Sequence, residues 1–264
     1  MQRIVVITGG SSGIGQAMAE RFSAAGDRVY ELSRSGKDIG SIKHIDCDIT
    51  DTAQIKAAFS QISDEAGHID ILINNAGICI SGATEFLEED VVRRLMDINL
   101  FGMWSCCREA LPLLRQSKEA KIINISSMAA VFAIPFHSFY SASKAAINAF
   151  TSALALEVAP LGISVAAFMP GDVNSGSTAK RIKNCAGSDI YGQAIEKSVA
   201  VMEKDEKNGM RPATIADAIY RIAEKSKLKP LYCCGFKYQL FVFLGKVLPA
   251  RAINKIIRMM YCPK

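Results

Sequence analysis

Ile4-Val-Val-Ile7-Thr8-Gly9-Gly-Ser11-Ser12-Gly13-Ile14-Gly15 opens the chain with a short apolar run, a glycine turn and the start of a helical pattern. One arginine and four apolar residues are too few for a signal peptide, so Ile4–Ile7 reads as a first β-strand. A glycine turn between strand and helix lets a ligand come close to the backbone, and the amides at the helix N-terminus favour a phosphate. The stretch decides the fold because its alternation is repeated to the end of the chain. Strands are expected near 3–8, 28–33, 42–46, 69–74, 121–126, 163–168 and 230–234, with helices near 14–25, 51–66, 88–115, 138–159 and 214–226. Such alternation predicts an α/β fold: a doubly wound, seven-stranded parallel sheet with helices on both faces.

Length and composition agree with one catalytic domain. The 264 residues are half apolar, with no repeat and no Pro/Gly/Ser-rich linker. Eight cysteines include the adjacent pairs Cys106-Cys107 and Cys233-Cys234 but no C-x-x-C spacing, which points to reduced thiols and a cytoplasmic protein. His44, His68 and His137 are too scattered for a zinc site, so no metal is expected. The net charge of +5 is concentrated at one end: Lys225 to Lys264 holds nine Lys or Arg and no acid, leaving 22 basic against 26 acidic residues before it. The body therefore has no basic excess, and no nucleic-acid partner is expected.

Further motifs follow in order: Asn74-Asn75-Ala-Gly77, Asn99, Asn124-Ile-Ser-Ser127, Tyr140-Ser-Ala-Ser-Lys144 and Pro170-Gly171. Residues i and i+4 share a helical face, so Lys144 is expected to stand beside Tyr140, with Ser138 as the helix cap. A cation ~4 Å from a phenol, at an effective dielectric of ~20, interacts by ~4 kcal/mol, enough to bring a pKa near ~10 toward neutrality. In this order, and over roughly the first 235 residues, the chain resembles the short-chain dehydrogenase/reductase family. The resemblance implies a Rossmann-type fold, a nicotinamide dinucleotide cofactor and interconversion of a secondary alcohol and a ketone.

It also implies roles for individual residues. Gly9, Ser11, Ser12, Gly13, Ile14 and Gly15 form the phosphate loop; Asp48 and Ile49 face the adenine, and Asn75 lies close to the adenosine ribose, while Asn74 and Gly77 stabilise the sheet edge. Pro170, Gly171, Val173 and Ser175 form the nicotinamide-side loop, in which Asp172 departs from a usually apolar pattern. Ser127 and Tyr140 bind the reacting oxygen, Tyr140 passes the proton, Lys144 lowers the phenol pKa and holds the ribose, and Asn99 binds a water that relays protons to Lys144. His137, Phe132, Phe136 and Met169 are read as pocket wall or core. From the residues themselves, Arg34 with Ser33 and Ser35 at the end of the second strand suits a 2′-phosphate, so NADP(H) is expected over NAD(H), with Glu31 nearby as a counter-signal.

The segment from Gly176 to Met210 emerges at the carboxyl ends of the strands and is expected to cover the substrate, the alternative being an ordinary surface excursion with two short helices. Residues 236–264 form an extension beyond the 1–235 catalytic domain. In it Ile253, Ile256, Ile257 and Met260 share one helical face and Arg251, Lys255 and Arg258 the opposite one. This amphipathic helix has three readings: a cover on the pocket, a dimer surface, or an anchor at an anionic membrane surface. Such extensions resemble those of family members acting on steroids and retinoids, so a lipophilic alcohol or ketone is expected as substrate. A homo-oligomer, dimer or tetramer, is expected too. The alternatives are a reductase of sugar or acyl-thioester carbonyls and a non-catalytic dinucleotide-binding sensor; the Asn99, Ser127, Tyr140, Lys144 set argues against the sensor. Ser127 has no nucleophile elbow and no evident histidine partner, which argues against a hydrolase.

Overall fold

The computed structural model describes residues 2–176 and 181–262. Residues 177–180 of the expected cover and 263–264 of the expected tail lie outside the described residues. In chain order the elements are β1 (Ile4–Thr8), α1 (Gly13–Ala24), β2 (Arg28–Ser33), β3 (Ile42–Asp46), α2 (Thr52–Ala66), β4 (Ile71–Asn74), β5 (Ile80–Ser81), α3 (Glu89–Met96), α4 (Met103–Leu114) and β6 (Lys121–Ile125). Then come α5 (Ser138–Val158), β7 (Ser164–Met169), β8 (Ile182–Lys183), α6 (Ser188–Tyr191), α7 (Ala194–Lys207), α8 (Pro212–Ala223), β9 (Leu231–Cys233), α9 (Phe236–Val247) and α10 (Ala250–Tyr261).

Among the described residues seven strands form one parallel sheet in the order β3-β2-β1-β4-β6-β7-β9. The order reverses beside β1, where β1 pairs with β2 on one side and β4 on the other. That switch point is where an open α/β sheet leaves a crevice at its carboxyl edge. Both faces are covered, and β1, β4 and β6 are buried along their whole length, which is why they read as largely apolar runs, with Thr8, Asn74, Lys121 and Asn124 as their buried polar members. On one face Val5, Ile7, Phe22, Ile73 and Ile219 join α1 and α8 to the sheet; on the other Val6, Leu72, Ile122, Cys106 and Leu154 join α2, α4 and α5. A fully buried Phe22 is worth about 1.5–3 kcal/mol relative to exposure. Its ring meets Tyr220 of α8 edge-on at 5.2 Å, and Arg21 stacks over the same tyrosine at 3.8 Å while pairing with Asp217 at 2.7 Å.

The expected helix over 88–115 is divided: α3 and α4 are joined by a π-helical turn at Asp97–Gly102. At Gly102 a Cβ would lie 2.6 Å from the Ile49 carbonyl oxygen, so the glycine permits this turn to press against the loop after β3. Widened turns of this kind shift one residue out of helical phase, and here they carry Asn99. The α5 cap also differs from expectation: His137 occupies the N-cap, and Ser138, the first helical residue, meets the Thr84 hydroxyl at 2.9 Å. The small β5–β8 sheet and the 14-residue α7 were not anticipated.

Candidate active site

One cavity of about 620 Å³ runs along the carboxyl edge of the sheet from the glycine turn to the two C-terminal helices. Its first wall is built by close approach. Gly9 has φ +66, and at Gly15 a Cβ would stand 2.1 Å from the Gly9 carbonyl oxygen, so a side chain there would break the turn. Asn75 locks the turn to β4: its Nδ2 donates to the Thr8 and Gly9 carbonyls at 3.1 Å, and its backbone N–H donates to the Thr8 hydroxyl at 3.0 Å. Gly9, Ser11, Ser12, Gly13, Ile14, Gly15 and Asn75 all line the cavity, and the exposed turn leads directly into the N-terminus of α1.

The end of the cavity expected to take the adenosine is bounded by Asp48, Ile49, Ser33, Arg34 and Ser35. Asp48 accepts from the Thr50 N–H at 2.9 Å and the Thr50 hydroxyl at 2.8 Å, which turns the chain toward α2. Arg34 is exposed and forms no ion pair among the described residues. Glu31, the acid that weighed against an arginine-led reading, is buried away from the cavity; its carboxylate meets the Ser33 hydroxyl at 3.1 Å and His44 Nδ1. Both contacts use Oε1, Oε2 is buried without a partner among the described residues, and the Arg34 guanidinium stands at the rim.

Across the cavity, Pro170, Gly171, Val173 and Ser175 follow β7 and face the glycine turn, with the Ser175 carbonyl oxygen 3.0 Å from where a Gly13 Cβ would be. Val173 bridges to Met210, and Asn174 N–H donates to the Met210 carbonyl at 2.9 Å. The departure at Asp172 has a physical reason in α9. Tyr238 donates its hydroxyl proton to Asp172 Oδ2 at 2.7 Å and accepts from the Asp172 N–H at 2.9 Å. Its ring lies flat against Gly171, where a Cβ would come within 2.1 Å of Tyr238 Cζ.

The floor of the cavity holds Ser127, Tyr140 and Lys144. Ser127 caps a short turn, its Oγ accepting from the Ala129 N–H at 3.1 Å. Tyr140 and Lys144 are on one face of α5 as expected, with Lys144 Nζ 5.7 Å from the centre of the Tyr140 ring. Lys144 is 4% exposed and donates to the Ile125 carbonyl at 2.9 Å; burial pulls its pKa down to about 8. The expectation of an acidified phenol is corrected here. Burial pushes the Tyr140 pKa well up, charge at Cys79 adds to the rise, and a hydrogen bond with the Ser127 hydroxyl offsets only part of it. The ammonium is directed at a carbonyl and sits beside the ring, so in this state the phenol holds its proton at neutral pH.

Asn99 is buried and bonded to neighbouring protein groups. Its Oδ1 accepts from the Ile78 N–H at 2.8 Å, and its Nδ2 donates to the Ile78 carbonyl at 3.0 Å and the Ser143 hydroxyl at 3.1 Å. The side chain lies behind the wall and not on the cavity surface, and its amide holds protein groups. Its bonds hold the 77–79 loop to the α5 turn that carries Lys144. His137 lines the wall, its ring 4.5 Å from that of Tyr140. Hydrogen bonds link Nδ1 to the Ser81 hydroxyl at 3.0 Å and Nε2 to Cys79 Sγ at 3.3 Å, and burial lowers its pKa to about 3, so the imidazole is neutral.

The far end of the cavity was only partly legible. Met202, Asp205 and Glu206 of α7 and Arg181 line it, together with Phe241 and Leu244 of α9 and Ile253, Ile256, Ile257 and Met260 of α10. The four apolar residues read as one face of α10 do turn to the cavity. Phe132 anchors α9 through an edge-on contact with Phe241 at 6.2 Å. Arg181 and Glu206 carried no sequence signal as site residues: the β5–β8 pairing brings Arg181 to the site, and α7 carries Glu206 there.

A family model described as short chain dehydrogenase matches residues 3–186. The 3-ketodihydrosphingosine reductase of Bacteroides thetaiotaomicron is 40% identical over 226 residues, covering 84% of each chain. The mouse dehydrogenase/reductase SDR family member 7B is 31% identical over 261 residues, covering 93% of this chain and 77% of that one. A short-chain dehydrogenase structure from Streptomyces avermitilis superposes with a TM-score of 0.84 at 28% identity, covering 98% of both chains. Sheet order, glycine turn, the Ser127, Tyr140, Lys144 floor and these likenesses together establish that the chain belongs to the short-chain dehydrogenase family.

Proposed function

We propose that the protein is an NADP(H)-dependent oxidoreductase that reduces a lipophilic ketone to a secondary alcohol. The observation that carries this reading is the floor of the cavity, where a protonated phenol, a serine hydroxyl and a buried ammonium meet midway between a glycine cradle and an apolar chamber. Arg34 with its hydroxyl neighbours supports the 2′-phosphorylated cofactor. Bound there, the nicotinamide supplies the hydride.

The protein's own part is to hold and protonate the ketone oxygen. Ser127 Oγ and Tyr140 Oη offer two hydrogen bonds to that oxygen, stabilising the charge that develops on it. Tyr140, which keeps its proton at neutral pH, gives it up as the charge forms. Lys144 places a positive charge next to the phenol that is losing its proton. The apolar residues of α9 and α10 exclude water from the far end and take a hydrocarbon chain.

The name of the Bacteroides relative suggests 3-ketodihydrosphingosine, a long-chain ketone, as a first candidate. The test is NADPH consumption with 3-ketodihydrosphingosine and simple long-chain ketones, using wild type and Tyr140→Phe. Turnover by the wild type and a loss of 10²–10⁴-fold in the variant, with NADPH binding retained, are expected for removal of a general acid. No consumption with any ketone, or equal rates in the two proteins, would reject the reading.

The 236–264 extension is proposed as a cover whose outer surface rests on an anionic membrane. Phe236 is 82% and Met259 62% exposed, Phe243 and Val247 lie open beside them, and Lys237, Arg251, Lys255 and Arg258 occur without any acidic residue. No described helix is long and apolar enough to cross a membrane, so the contact would be peripheral. Flotation with phosphatidylserine liposomes checks this: binding lost in 1 M salt and on truncation after residue 235 is expected, and flotation unaffected by truncation rejects it. A homo-oligomer remains part of the proposal, with exposed Phe101 and Trp104 as its candidate contact.

A further inference from the structure

Phe136 and His137, the two residues before α5, are each held in a way that is locally unfavourable. Phe136 has φ +59, the one non-glycine residue in the left-handed region among the described residues, where a bulky side chain is disfavoured. His137 occupies the N-cap of α5, yet its side chain makes no capping bond, although a cap ordinarily stabilises a helix. Neighbouring segments hold the turn in place. The Gly82 N–H donates to the Phe136 carbonyl at 2.9 Å, the Tyr191 ring meets the Phe136 ring edge-on at 5.7 Å, and the Ser198 hydroxyl donates to the Pro135 carbonyl at 3.2 Å. Backbone strain of this kind persists where the surrounding structure imposes it, and it collects at functional sites.

What the turn achieves is the direction of the His137 ring. The imidazole points into the protein, 4% exposed, with Ser81 Oγ 3.0 Å from Nδ1 and Cys79 Sγ 3.3 Å from Nε2. Arg181 Nε donates to the same sulfur at 3.3 Å, so the thiol proton is free to go to Nε2 and the ring proton stays on Nδ1. A ring bonded at both nitrogens is locked in one orientation. This one lies against the Tyr140 ring, with centres 4.5 Å apart and planes at 42°. Lys144 does not set the angle of the phenol: its Nζ is 5.7 Å from the same ring centre and donates to the Ile125 carbonyl.

We propose that His137 is a positioning residue, whose locked ring sets the angle of the Tyr140 phenol so that its hydroxyl is aimed at the ketone oxygen. The proposal rests on the reductase reading above, in which Tyr140 is the acid, and deepens it by naming what aims that acid. Burial keeps the imidazole neutral, so it passes no proton itself. The brace reaches further than one ring. Arg181, which holds Cys79, and Tyr191 and Ser198, which hold the strained turn, all belong to the 176–210 segment. That segment therefore supports the acid as well as bordering the chamber.

The experiment follows NADPH oxidation with dodecan-3-one, or with 3-ketodihydrosphingosine if that is turned over faster, in H2O and in D2O. In His137→Phe a ring of similar size remains but both of its hydrogen bonds are lost. A catalytic group misplaced by about 1 Å costs on the order of 10²-fold in rate, so kcat is expected to fall about 10- to 100-fold while the NADPH Kd, read by fluorescence, stays within about threefold of wild type. The solvent isotope effect on kcat is expected to increase, because proton transfer from a misdirected phenol slows relative to the other steps. Ser81→Ala, which removes one partner of the ring and leaves the imidazole, serves if His137→Phe does not fold; it should move kcat and the isotope effect the same way, with kcat down about threefold or more. A merely structural role would lower Tm and NADPH affinity and leave the isotope effect as it is. Wild-type turnover with kcat unchanged in the variants, or a fall in kcat with an unchanged isotope effect, overturns the His137 assignment alone. If the wild type reduces no ketone, the reductase reading fails and this inference falls with it.

Discussion

Replacing Lys144 by methionine should make the ligand-free protein more stable while disabling it. Burial takes the Lys144 pKa from its ordinary 10.5 to about 8. At 1.36 kcal/mol per pKa unit that is about 3 kcal/mol by which the charged ammonium weakens the fold at pH 7. Methionine fills similar space with no charge, and forfeits the hydrogen bond to the Ile125 carbonyl, worth about 1.5–3 kcal/mol. The balance is a gain of about 1 kcal/mol at pH 7, or about 2–4 °C in Tm for a domain of this size. The sign of the pH dependence is the sharper test. Between pH 8 and 10.5 the unfolded chain holds the Lys144 proton and the folded one does not, so wild-type stability rises with pH across that window; below 8 the penalty is present in full. Urea unfolding of both proteins from pH 7 to 10.5 measures the difference, because groups titrating in both cancel. The advantage of the variant should shrink by about 3 kcal/mol over that range. A variant less stable at pH 7 whose deficit does not change with pH would refute the reasoning.

Three further outcomes are expected. Arg34→Asp should shift the ratio of kcat/KM for NADPH over NADH toward NADH by tenfold or more, and an unchanged ratio in steady-state kinetics would remove Arg34 from the cofactor site. Gly15→Ala sets a methyl group 2.1 Å from the Gly9 carbonyl oxygen, so dinucleotide affinity by calorimetry should fall at least about 100-fold, whereas tight binding would show that the turn can give way. Tyr238→Phe removes one hydrogen bond given and one received at Asp172; a loss of about 1–3 kcal/mol is expected in urea unfolding, and full stability would show that ring packing alone holds α9.

The sheet was legible because each strand is a short apolar run between turns, and parallel pairing buries both of its faces. Ile42–Asp46 and Arg28–Ser33 have the same limits in sequence and structure. The long helix near 88–115 misled because the π-helical turn at Asn99 preserves helical periodicity on either side, and nothing local marks the extra residue. The glycine turn and the Tyr140, Lys144 face were legible because spacing within one turn or one helix is fixed by backbone geometry. The acidity of the phenol was not, since it depends on burial and on where the ammonium points. Arg181 and Glu206 were hidden for another reason: Arg181 is placed by a two-residue strand pairing distant in sequence, and Glu206 is a charged residue near the end of α7 with no motif around it. Asp172 showed itself only as an oddity until Tyr238, 66 residues later, supplied its partner.

The contact between Tyr238 and Gly171 ties α9 to the loop after β7, where the proposed function seats the nicotinamide. If α9 were to lift, the Tyr238 contacts with Gly171 and Asp172 would break with it, so a coenzyme bound as proposed would lose support on that side. On the proposed function, substitutions that loosen the Tyr238 latch are therefore expected to quicken coenzyme release in stopped-flow measurements.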